Sequence, residues 1–147
     1  MEQLQNLETT HREQSDKFTY YVIALCVTAI GFAVYNTLGQ SMKQSQIPLG
    51  ASVLCWSLSV YLGLKVLRYR IQILLINHRL IKVQIGTDEL AGTHPEKKQI
   101  GYQVLMENIN ILSRRINIAI TWQLWMFYLG MLSFVGWHVY EMYLKIV

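Results

Sequence analysis

What this chain has little of is charge. Only 15% of its 147 residues are Asp, Glu, Lys or Arg, while 52% are hydrophobic and the mean hydropathy is +0.24. A soluble domain carries about 25% charged residues, so water alone is a poor solvent for this surface. Proline is scarce too: Pro48 and Pro95 are the only two, which leaves long stretches with no forced break in a helix. The two cysteines, Cys26 and Cys55, form neither a disulfide framework nor a metal-ligand spacing, and small packing residues are expected there. The four histidines, His11, His78, His94 and His138, are scattered without metal-ligand spacing, so no metal and no cofactor is expected. Nucleophile–base pairs, phosphate-cradling glycine loops and nuclease-like Arg/His pairs are missing as well. Catalytic groups can assemble from distant positions, but nothing in this pattern predicts an enzyme.

What is present is long apolar runs. Phe18 to Leu38, Ile47 to Leu67 and Ile118 to Tyr140 each match the roughly 20 helical residues that cross a hydrocarbon core about 30 Å thick. Lys65, near one end of the second run, is the only charged residue inside them. Three transmembrane helices are predicted, and the first is read as an uncleaved anchor. About seventeen mostly polar residues precede it, with no basic n-region or small-residue cleavage pattern.

Lys and Arg set the orientation of such spans. Arg12 and Lys17 precede the first, and nine more lie between the second and third spans or on their flanks: Lys65, Arg68, Arg70, Arg79, Lys82, Lys97, Lys98, Arg114 and Arg115. Lys43 and Lys145 are the only two elsewhere. Eleven against two places the N-terminus and the long middle segment in the cytoplasm, with the C-terminus outside. Tyr20, Tyr21 and Trp122 then lie at the inner interface, and Tyr35, Trp137 and Tyr140 at the outer one.

The stretch GLKVLRYRIQILLINHRLIKVQIG, from Gly63 to Gly86, is apolar yet studded with cations. After Leu67 its pattern turns amphipathic, with Leu67, Ile71, Leu74, His78, Ile81 and Ile85 at spacings of three and four. The second helix is therefore expected to run unbroken from 47 to 85, leaving the lipid on the way, with Gly86 as its stop. A polar connection, 86–98, follows. In it Thr93 and Glu96 fit a capping box that opens a cytosolic helix over 94–117, with an apolar stripe of Leu105, Ile109, Leu112 and Ile116. This helix feeds into the third span, 118–140, and a short outer end, 141–147. The N-terminal 1–17 reads as a further cytosolic helix, with Leu4, Leu7, His11 and Phe18 on one face, leading into the first span, 18–38. The fold class is an all-α membrane protein: three transmembrane helices extended into a cytosolic helical bundle.

Two rows of small residues stand out in the spans: Ala51, Cys55, Ser59 and Gly63 in the second, and Gly130, Ser133 and Gly136 in the third. Such rows let helices approach closely in lipid. They fit packing within one chain, or a subunit interface or pore face. Three spans bury little by themselves, so a homo-oligomer is expected. No Asp, Glu, Lys or Arg sits at mid-depth and no inverted repeat is evident, which argues against a pump or secondary transporter.

In the middle segment, Lys65, Arg68, Arg70, Arg114 and Arg115 fall where inner headgroups lie, and topology and anionic lipid contact are their simplest roles. Arg79, Lys82, Lys97 and Lys98 lie further out. Repeated around an oligomer they would form a positive cup for a nucleotide or oligonucleotide, with His78, Tyr69 and Tyr102 available to stack on bases. A solvated basic face, and a histidine that simply packs, are the plainer readings of the same residues.

In layout the chain resembles the small transmembrane effectors of nucleotide-signalling anti-phage systems, including the channel subunit of Hailong-type defence. The resemblance rests on GASVLCWSLSVYLGLKVLRYR and RRINIAITWQLWMFYLGMLSFVG together with the basic helical portion between them. It implies an oligomeric inner-membrane channel controlled by an oligonucleotide that a partner nucleotidyltransferase makes. Two functions follow as expectations. One is a homo-oligomeric pore gated from the cytosol by an anionic ligand. The other is a non-conducting membrane subunit or anchor whose cytosolic hairpin docks a partner protein.

Overall fold

The computed structural model describes residues 2–39, 46–85 and 95–144, with side chains from residue 13 onward in the first stretch. They form three helices: α1 (Glu2–Thr37), α2 (Ile47–Ile85) and α3 (Pro95–Leu144). No strand occurs among the described residues. All three helices are long and apolar enough to cross a membrane. Their lengths of 36, 39 and 50 residues correspond to roughly 54, 58 and 75 Å, about twice a hydrocarbon core or more. The junctions at 17/18 and 117/118 are therefore changes of composition inside a helix, without a break in it.

Local chemistry accounts for the helix ends. α1 finishes where Asn36 donates back to the Phe32 carbonyl (2.9 Å) and Thr37 to that of Ala33 (3.1 Å). Leu38 N–H closes on Tyr35 O at 3.3 Å, and Gly39 takes a left-handed φ of 80° that only glycine adopts without strain. α3 opens on Pro95, whose missing donor is not needed at a first helical position. Glu96 follows in the positive first turn. The expected N-cap Thr93 and the stop at Gly86 lie outside the described residues, as do the side chains of Leu4, Leu7 and His11. Phe18, from the same expected face, is half exposed.

The chain divides into two compact units, Met1–Leu64 with Ile120–Val147, and Lys65–Ala119. All nine basic residues between the second and third spans belong to the second unit. In the first unit the buried core is Val22, Cys26, Ala33, Leu49 and Trp56, with Ala29, Val53, Val60, Leu124 and Phe127 packed against it. Thr19, Ser52, Ser59 and Gln123 are buried too, while Leu25, Phe32, Leu54, Leu58, Trp125, Leu132 and Val139 are exposed. Unlike the soluble pattern, polar and small side chains share the inside with Val22, Leu49 and Trp56, and many large apolar ones are left outside. It is the distribution of helices that pack closely in hydrocarbon.

Packing in both units follows a seven-residue repeat. On α2 the buried positions are Leu49, Ser52, Trp56, Ser59, Gly63 and Val66; on α3 they include Ile116, Ala119, Gln123 and Gly130. Steps alternating three and four are those of left-handed knobs-into-holes packing. In the second unit α2 keeps this register, with Ile73 half-buried and Leu80 buried, joined by buried Val83. Leu105, Ile109 and Leu112 of the expected α3 stripe are half-buried and Ile116 is buried.

The expected α2 stripe is corrected. Leu67 is half-buried, but Ile71, Leu74, His78, Ile81 and Ile85 are exposed. Between Ile71 and Ile85 this helix is apolar on more than one face, so periodicity alone does not choose the packed one. In this unit Val66, Leu80 and Val83 are buried instead, and the stripe is left outside.

Candidate functional site

The most constrained group in the molecule lies in the first unit, where the three helices meet. Ser59 of α2 is fully buried and its hydroxyl donates to the Gln123 carbonyl of α3 at 3.0 Å. The same hydroxyl forms a side-chain hydrogen bond with the buried Cys26 thiol of α1. Gly63, one turn on, makes the approach feasible. A Cβ placed there would lie 2.6 Å from Gln123 Nε2 and 2.8 Å from Ile23 Cγ1. Gln123 is only 2% exposed, and its Nε2 finds no acceptor. In low dielectric such a donor costs on the order of 1–3 kcal/mol.

Seven residues along α3, Gly130 leaves the notch that takes Trp56. A Cβ at Gly130 would meet the indole Cδ1 and Nε1 at 2.6 Å. Phe134 joins the three helices' aromatics, with ring centroids 5.6 Å from Trp56, 5.8 Å from Trp137 and 6.3 Å from Phe32. Trp56 Nε1 and Trp137 Nε1 are also buried without an acceptor. Trp137 is half-buried against Phe134. Beside this cluster lies an apolar groove of about 220 Å³ lined by Leu25, Ala29, Phe32, Trp56, Phe127 and Met131, among others. It holds no nucleophile and no titratable group, so it offers space without chemistry.

The small-residue rows are split by the structure. Ser59, Gly63 and Gly130 are buried, Cys55 and Ser133 half-buried, and Ala51 and Gly136 exposed, with nothing within 4 Å of a Cβ at Gly136. Ala51 and Gly63 are twelve residues apart, which turns the helix about 120° off the seam. Gly136 is displaced from Gly130 by a similar angle. Two further members of the buried site, Trp56 and Gln123, were missed as site residues because neither is small. Their signal was the register, Trp56 seven residues before Gly63 and Gln123 seven before Gly130.

Among the candidate ligand residues, His78, Arg79, Lys82 and Lys97 are exposed and Lys98 is half-buried. Lys65, Arg68, Arg114 and Arg115 are exposed, and Arg70 is half-buried. All lie in the second unit. They are spread along the described parts of α2 and α3 in that unit. Among the described residues, no three or more His, Cys, Asp or Glu side chains gather as a metal-holding group. No protein-family model matches the chain, and no curated protein or solved structure matches it.

Proposed function

We propose that this chain is the subunit of a homo-oligomeric pore in a bacterial inner membrane, gated from its basic cytosolic end by an anionic ligand of the nucleotide or oligonucleotide class. Its biological role would be that of an anti-phage effector like those it resembles in layout. One observation carries the reading: α2 and α3 are each a single unbroken helix that includes both an apolar span and a stretch of exposed cations. A ligand that favours one arrangement of the cations would shift the equilibrium of the spans, because the same two helices carry both. The spans supply hydroxyls and an amide but no ionisable ligand, which suits a pore better than a coupled carrier.

A second reading is favoured by the exposed Ile and Leu residues of the Lys65–Ala119 unit. In that reading the hairpin docks a partner protein and the spans only anchor it. Purified protein in liposomes, assayed for ion flux with and without short DNA oligonucleotides, separates the two. Flux that changes with oligonucleotide supports the pore; no flux in either condition supports the anchor.

A further inference from the structure

Between Leu67 and Ile85, α2 carries a second seven-residue register beside the one that packs. Positions 67, 71, 74, 78, 81 and 85 alternate steps of four and three, the spacing of a coiled-coil seam. Ile71, Leu74, Leu75, Ile81 and Ile85 keep 54–69% of their surface, and His78 is exposed among them. This stripe is offset by one residue, about 100°, from the Val66, Ile73 and Leu80 register. Arg68, Arg70, Arg79 and Lys82 occur in the same stretch and exclude a mid-bilayer position for it. Water therefore meets these side chains, and the hydrophobic effect favours covering them.

We infer that a second copy of this chain covers the stripe, parallel and in register, so that α2 is the inner helix of the homo-oligomer and His78 faces its axis. The inference rests on the homo-oligomer part of the proposed function and names the face that builds it. Three properties select this occupant. Copies of a multi-pass membrane protein share one orientation, so the same segment of neighbouring copies lies side by side and parallel. A strict 3.5-residue repeat is self-complementary, because the knobs of one helix fit the holes of its twin. His78, the one polar side chain in the register, takes the place of the single core polar residue that fixes alignment and copy number in coiled coils.

The test is disulfide cross-linking of the full chain in native membranes, in a Cys55→Ser background that leaves the buried Cys26. Ile71→Cys, Leu74→Cys, His78→Cys and Ile81→Cys are expected to give strong dimers, and Gln72→Cys and Arg79→Cys at least fivefold less. Equal cross-linking at all six positions, or none, overturns the inference. The double variant Leu74→Glu/Ile81→Glu is expected to run as a monomer in detergent with unchanged helicity; an oligomer of parental mass also overturns it. Liposome flux on the same protein separates the two proposals. The cross-linking pattern without flux overturns the pore and leaves the interface, whereas flux without the pattern overturns the interface and leaves the pore.

Discussion

At Gly63 and Gly130 a single hydrogen atom decides whether helices touch. Gly63→Ala drives a methyl into Gln123 and Ile23, and Gly130→Ala drives one into the Trp56 ring. Each is expected to lower stability by about 1–3 kcal/mol, the usual range for overpacking. Thermal unfolding in detergent reads the loss. Gly31→Ala and Gly136→Ala meet open space and should be neutral or gain up to about 1 kcal/mol of helix propensity. Loss of stability at Gly136 in the oligomer, but not in a dissociated form, would show that a neighbouring copy covers it. Gln123→Leu removes an amide whose buried Nε2 has no acceptor. It is expected to raise thermal stability by about 1–3 kcal/mol, and a fall instead would mean that the amide is paired in the membrane.

The helices themselves were largely readable before any coordinates. Apolar runs without proline led to three long helices, and nothing local opposes them. Which face of α2 packs was not readable, because both the Val66–Leu80 and Leu67–Ile85 registers satisfy the same periodicity. Leu80→Ala, on the buried register, is expected to cost the monomer about 2–5 kcal/mol. Leu74→Ala, on the exposed register, should leave monomer stability within about 0.5 kcal/mol while weakening the oligomer. Urea or thermal melts of dissociated and associated protein, compared side by side, check the pair. The buried site was half readable: the small-residue rows pointed to Ser59, Gly63 and Gly130, but four-residue spacing drifts off a face that repeats every seven.

For the whole molecule the decisive property is the segregation of charge, nine cations in the Lys65–Ala119 unit and apolar surface on the spans. If oligonucleotides bind this unit, affinity must fall with salt, by about 0.7 in log K per decade of salt for each phosphate neutralised on a single strand. Arg79→Gln/Lys82→Gln is then expected to flatten the slope measured by fluorescence anisotropy. An unchanged slope would move the contact to other cations. Three spans place the two ends of the chain on opposite sides, so impermeant thiol reagents applied to intact cells should label a cysteine introduced near the C-terminus and spare one near the N-terminus. Labelling of the N-terminal site alone would invert the orientation drawn from the cation count.

Composition and the order of apolar runs were enough to specify three helices long and apolar enough to cross a membrane, because the length of an apolar helix and the avoidance of charge in lipid are properties of local sequence. Tertiary structure alone decided which of two equivalent registers on α2 became the core. It also brought Cys26, Ser59, Gly63 and Gln123 together from three helices. These choices depend on how closely one helix backbone can approach another, and a single helix read by itself carries no record of that distance.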